Sequence, residues 1–173
     1  MRILAISGSL REASSNTQLL RAMAALAPEH VEIVLYGGIG ALPHFNPDLD
    51  GEAAPASVVD FRTALGEADG VIISCPEYAH GVPGVLKNAL DWIVGSGEFV
   101  EKPVALINAS PRATHALASL TETLTMMAAR IVPEASIAVP LPGRALPEGG
   151  IAADDEIADM LRRATASLAL AIS

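Results

Sequence analysis

Five short apolar runs divide the chain, each bounded by turn-forming residues: Arg2–Ser7, Val31–Tyr36, Gly70–Cys75, Pro103–Asn108 and Ala135–Val139. Runs of this length, rich in Ile, Val and Leu, predict strands buried on both faces. The stretches between them change period. Asn16–Leu26 sets Leu19, Leu20, Met23 and Leu26 at helical steps, and Ala56–Leu65 carries Val58, Val59, Phe61 and Leu65. Val85–Val94 lines up Leu86, Ala89, Leu90 and Ile93, and Leu117–Ala129 repeats Leu117, Leu120, Leu124 and Met127. The last stretch, Ile151–Ile172, opens with Asp154, Asp155 and Glu156, whose charge suits the positive end of a helix dipole.

Strand and helix thus alternate five times, which predicts an α/β fold: a parallel sheet with helices on both faces. Right-handed crossovers allow the strand order 2-1-3-4-5. Ligands of such sheets bind beyond the carboxyl ends of the strands, where the chain direction of winding switches, here between strands one and three. The loops to inspect are Ser7–Asn16, Pro76–Gly84 and Ala109–Ala116. Gly37–Pro55 and Pro140–Gly150 are Pro- and Gly-rich and read as surface loops.

Composition narrows the function. The 173 residues suit one domain, 1–173, and 51% hydrophobic content can fill its core. Eleven basic against 20 acidic residues leave a net charge of −9, which argues against nucleic acid and anionic membrane surfaces as partners. No run reaches the ~18 apolar residues of a spanning helix. The amino terminus lacks the long apolar core and cleavage site of a signal peptide. Cys75 is the single cysteine, so no intrachain disulfide forms, and the four scattered histidines make no zinc pattern. We therefore expect a cytoplasmic protein.

The first loop, Ser7-Gly8-Ser9-Leu10-Arg11-Glu12-Ala13-Ser14-Ser15-Asn16, gathers hydroxyls, a guanidinium and an amide just before a helix. Free N–H groups at a helix start favour an anion, serines add donors, and Arg11 offers a planar fork for phosphate oxygens. The same residues also suit helix capping, which one of Ser14, Ser15 or Asn16 would satisfy. Neither a Walker loop nor the dinucleotide GxGxxG pattern is present, and Gly37-Gly38-Ile39-Gly40 reads as loop flexibility. The loop after strand three is stiffened by Pro76 and Pro83 and carries Tyr78, a candidate wall for a flat ring or a simple packing residue.

Together, Gly8-Ser9-Leu10-Arg11…Ser14-x-Asn16 and Pro76-Glu77-Tyr78…Pro83-Gly84-Val85-Leu86-Lys87-Asn88-Ala89-Leu90-Asp91-Trp92 resemble the NADPH-dependent FMN reductase family, a flavodoxin-like group that includes quinone and chromate reductases and some azoreductases. The likeness runs from Met1 to about Val139. It implies a flavodoxin-like three-layer sandwich. It also implies that Ser9, Arg11, Ser14 and Asn16, with Ser15 nearby, hold the FMN phosphate. Pro76, Glu77, Tyr78 and Ala79 would border the ribityl chain and isoalloxazine, and the loop with Ser110 and Arg112 would cover the other side. The chain departs from the pattern twice: Ala79 stands where Asn is common, and Arg112-Ala113-Thr114-His115-Ala116 replaces a glycine-rich run. That charge puts Arg112 and His115 where an anionic nicotinamide nucleotide could meet them.

The resemblance implies a homodimer or homotetramer and an oxidoreductase using FMN and NADPH or NADH to reduce a small acceptor: free flavin, quinone, azo compound or metal oxyanion. No catalytic acid or base is required of the protein, because the cofactor carries the chemistry. A flavodoxin-like electron carrier and a non-catalytic flavin-binding protein are the alternatives. Trp92 is expected at a subunit interface in preference to the core. Phe45 is read as loop packing, with shielding of a neighbouring subunit's flavin as the alternative. Cys75 is read as a small core residue, not a reactive thiol.

Overall fold

A computed structural model describes residues 1–173. Its elements are β1 (Arg2–Ser7), α1 (Ser15–Leu26), β2 (Glu32–Leu35), α2 (Ala56–Gly66), β3 (Gly70–Ser74), α3 (Gly84–Asp91), β4 (Pro103–Asn108), α4 (Thr114–Met126), β5 (Arg130–Ile131), β6 (Ile137–Ala138) and α5 (Asp155–Ile172). Every strand pairing is parallel, in the order β2-β1-β3-β4-β5, with β6 also on β4. This is the expected three-layer flavodoxin-like arrangement.

The period of two along β1 sorts its side chains to opposite layers. Ile3 and Ala5 pack with Leu19, Leu20 and Met23 of α1 and Leu161 and Leu168 of α5. Leu4 and Ile6 pack with Phe61 of α2, Leu86 and Leu90 of α3 and Leu120 and Leu124 of α4. Both faces are covered, so each strand reads as a continuous apolar run. Fully burying one such side chain contributes about 1.5–3 kcal/mol.

Strand five differs from the expected Ala135–Val139. It is split: Arg130–Ile131 pairs with Pro103–Val104, and Ile137–Ala138 pairs with Ile107–Asn108. Pro133 lies between the halves, in a 3-10 turn spanning Pro133–Ala135, and has no N–H to give the ladder. The Ser136 hydroxyl fills the gap: it accepts from the Leu106 N–H at 3.0 Å and donates to the Val132 carbonyl at 2.9 Å.

Helix starts also move. α4 begins three residues before the expected Leu117, and α5 begins at Asp155 because Asp154 caps it, accepting from the Ile157 N–H at 3.2 Å. Trp92, expected at an interface, is fully buried in this chain. Its indole N–H donates to the Pro43 carbonyl at 2.8 Å, and the Asn88 amide donates to the same oxygen at 2.9 Å. Phe45 lies edge-on to Trp92, with ring centroids 5.0 Å apart. These contacts fasten the long Gly37–Pro55 loop to α3, and they supply the loop-packing role for Phe45. No helix is long and apolar enough to cross a membrane.

Candidate functional site

The loops after β1 and β3 meet at Gly8. Its N–H donates to the Ser74 carbonyl at 2.8 Å. A Cβ here would stand 3.1 Å from Leu86 Cδ2 and from Pro76 Cδ, so any larger residue would push the two loops apart by a few tenths of an ångström. Beyond Gly8 the first loop bonds to itself. The Ser7 hydroxyl accepts from the Ser9 N–H at 3.3 Å and lies 2.8 Å from the Thr17 hydroxyl. The Ser9 hydroxyl accepts from the Arg11 N–H at 3.3 Å and lies 3.4 Å from the Tyr78 hydroxyl, which joins the tips of the two loops.

Ser14 is the cap of α1, accepting from the Thr17 N–H at 3.3 Å. Capping therefore has one owner. The backbone N–H groups of Leu10, Glu12, Ala13, Ser15 and Asn16 make no bond within the chain. The guanidinium of Arg11 is likewise unpaired. Five free N–H donors and an unpaired Arg at the positive end of a 12-residue helix form a donor set that fits a phosphate.

The first turn of α1 separates two clefts. One, of about 320 Å³, is lined by Asn16, Pro76, Glu77, Asn108, Ser110 and Arg112, among others. The other, of about 360 Å³, is lined by Ser7, Ser9, Arg11, Thr17, Arg21 and Tyr36, among others. The residues expected on the phosphate are thus divided: Ser9 and Arg11 face one cleft, Asn16 the other, and Ser14 and Ser15 lie at the helix start between them. Buried Asn16 accepts from the Ser74 hydroxyl at 2.9 Å, which fixes its amide and leaves its N–H groups free at the cleft floor.

Tyr78-Ala79-His80-Gly81 is a tight hairpin. Tyr78 and Gly81 exchange both backbone bonds, and Ala79 and His80 adopt φ of 50° and 59°. Tyr78 is 54% exposed at the tip. Glu77 turns away from Tyr78 and reaches α4. Its Oε2 accepts from the Ala116 N–H at 2.9 Å, and His80 Nδ1 is 3.2 Å from its Oε1. The Ala116 N–H holds the Glu77 carboxyl below the usual carboxylate range; the His115 N–H and the two imidazoles act in the same direction, and burial opposes them. The His80 and His115 rings meet edge to face, 4.5 Å apart.

On the far wall, Asn108 ends β4 and folds the next loop. It accepts from the Ser110 N–H at 3.2 Å and donates to the Ala113 carbonyl at 3.1 Å. The Ser110 hydroxyl in turn accepts from the Arg112 N–H at 3.3 Å, and the Arg112 side chain is exposed and unpaired at the cleft. Sequence reasoning missed Asn108; the available signal was an amide at the carboxyl end of a buried strand, directly before the Ala109–Ala116 loop. Cys75 is buried, and burial together with the Glu77 charge pushes its thiol up to about 12, which leaves it unreactive. No group of His, Cys, Asp and Glu is arranged to hold a metal.

Residues 1–141 match the family described as NADPH-dependent FMN reductase. A quinone reductase of Pseudomonas putida is 38% identical over 116 residues, 64% of this chain and 61% of that protein. A 2-hydroxy-1,4-benzoquinone reductase of a Burkholderia species is 40% identical over 113 residues, again 64% and 61%. The chain thus spans about three fifths of the length of the curated relatives it matches. Among solved structures, the flavoenzyme NAD(P)H:(acceptor) oxidoreductase FerB from Paracoccus denitrificans has a TM-score of 0.79 at 31% identity, covering 99% of this chain and 94% of that one. A match across residues 1–141, more than half of the chain and including both loops that meet at Gly8, settles the relationship: the chain belongs to the NADPH-dependent FMN reductase family.

Proposed function

We propose that the protein is an FMN-dependent NAD(P)H oxidoreductase that reduces a small quinone. The observation that carries this reading is the free donor set at the start of α1, joined through Gly8 and the Ser9–Tyr78 contact to a cleft at the β3–β4 ends. Names of relatives add the acceptor class: quinone reductase and 2-hydroxy-1,4-benzoquinone reductase.

The chemistry FMN supplies when bound is two-electron transfer from NAD(P)H to an acceptor. The chain's own part is to hold and orient. Ser9, Arg11 and the free N–H groups between Leu10 and Asn16 would bind the phosphate, with Ser14 and Ser15 completing the helix start. Pro76, Glu77, Tyr78 and Ala79 would border the flavin by backbone and ring, Ser110 would offer a donor from the far wall, and the Asn16 amide would offer one from the cleft floor. Exposed, unpaired Arg112 would meet the phosphates of NAD(P)H. We further infer a homodimer or homotetramer, supported by exposed Val94, Val100 and Met126, and a cytoplasmic location, where NAD(P)H is supplied.

The test is a spectrum of the purified protein with FMN, then NADPH or NADH without oxygen, then a benzoquinone. Binding followed by bleaching of the flavin band well faster than for free FMN, and recovery on adding quinone, is the expected result. Binding without bleaching would leave an electron carrier. Absence of binding would remove the phosphate role of Ser9, Arg11 and Asn16.

A further inference from the structure

Glu77 belongs to the β3–α3 loop, yet one oxygen of its carboxylate accepts from the backbone of α4, across the cleft. α4 has no cap of its own, because Ala113 occupies the cap position and a methyl group cannot accept a hydrogen bond. Ala116 is the third residue of that helix, and its N–H is the one a capping side chain ordinarily satisfies. Glu77 satisfies it from 39 positions away in sequence. Its carboxylate is also placed favourably toward the helix dipole. The Glu77 side chain is only 14% exposed.

A local cap would stabilise α4 equally well but would leave the two walls of the cleft independent. Here the same bond that ends α4 also anchors the Pro76–Gly81 loop. That loop needs an anchor: Ala79 and His80 both sit in left-handed backbone, which persists only where surroundings enforce it. The His80 ring closes the contact, lying on Glu77 Oε1 and against His115.

We propose that Glu77 is a positioning residue of the flavin cleft: its carboxylate caps α4 from the opposite wall and so sets the spacing between the Pro76–Gly81 loop and the Ser110–Ala113 loop. The consequence for FMN rests on the function proposed above; the latch itself does not.

Two measurements separate them. The first is amide hydrogen exchange of the flavin-free protein at Glu77–Gly81 and Thr114–Leu117. Glu77→Ala accelerates exchange in both segments together, whereas Glu77→Gln, which keeps an acceptor for the Ala116 N–H, does not. The second is FMN affinity from quenching of flavin fluorescence. Glu77→Ala weakens binding on the order of tenfold, while Glu77→Gln stays within about threefold of the parent, since a neutral acceptor suffices. Lys102→Met is the control. Lys102 donates to the Leu65 and Ala68 carbonyls at the amino end of β4, the end of the sheet opposite the clefts, so its loss lowers stability and leaves FMN affinity unchanged.

Unchanged exchange in Glu77→Ala overturns the latch. So does Glu77→Gln failing as badly as Glu77→Ala, which would make charge the active property. An equal loss of FMN affinity in Lys102→Met reduces the effect to general stability and overturns the positioning role. Coupled exchange with no FMN binding by the parent protein overturns the flavin reading alone.

Discussion

Ala79 and His80 hold φ of 50° and 59° at the centre of a two-residue hairpin. Tight hairpins of this kind need positive φ at both central residues, hence the usual preference for Asn and Gly. An ordinary L-residue held there costs about 1–2 kcal/mol relative to its preferred backbone. Ala79→Asn therefore relieves strain, and about 0.5–1 kcal/mol of added stability is expected, read as a rise of roughly 1–4 °C in the melting temperature. An unchanged or lower melting temperature would show that the turn carries no strain. The position illustrates what residue types disclose. Ser9, Arg11 and Asn16, which line the two clefts, stood out as candidates because their chemistry is unusual at the end of a strand. The departure at Ala79 was legible too, but its meaning was conformational: the missing Asn is one that tolerates left-handed backbone. The role of Glu77 was illegible, since its partner N–H belongs to a helix whose start, without a cap residue, was placed at Leu117 in place of Thr114.

At the scale of elements, the apolar runs located β1, β3 and β4 to the residue or nearly so, because a strand buried on both faces has no polar interruption. Strand five escaped this logic. Its two halves are two residues each, and what joins them is the Ser136 hydroxyl bridging Leu106 N–H and Val132 carbonyl. A bond between residues 30 positions apart leaves no mark on local periodicity. It does define a test. Ser136→Ala removes the acceptor from a buried strand whose Leu106 N–H then has no partner, a loss of about 1–3 kcal/mol. Denaturation by urea should show a lower midpoint with an unchanged slope. A midpoint equal to that of the parent would mean that water or a shift of β5 replaces the hydroxyl. The tryptophan on the α3 side makes the same point in reverse. Trp92 was expected at an interface because the family resemblance places its helix at a subunit contact, but the Gly37–Pro55 loop folds back over it and takes its N–H.

Across the whole molecule, the distribution of charge matters more than its sum. The net charge is −9, which repels an anionic ligand at long range. Most cations are committed: Arg2, Arg62, Lys87, Arg144 and Arg163 pair with carboxylates, and Lys102 and Arg130 bond backbone carbonyls. Arg11, Arg21, Arg112 and Arg162 have no such partner, and the first three line the two clefts beside α1. The chain keeps its free positive charge on the clefts where the proposed ligands would carry negative charge, and salt screens such short-range contacts less than the long-range field. Arg11→Ala and Arg162→Ala make the same change in net charge, so comparing them separates local from global electrostatics. On the proposed site, Arg11→Ala removes a charge-assisted bond to phosphate, about 1.5–3 kcal/mol, or roughly ten- to a hundredfold in FMN affinity. Arg162 lines neither cleft, and Arg162→Ala should shift affinity less than about twofold. Equal losses in the two variants would assign FMN binding to the overall field, and the anion site at the start of α1 would no longer be needed to explain it.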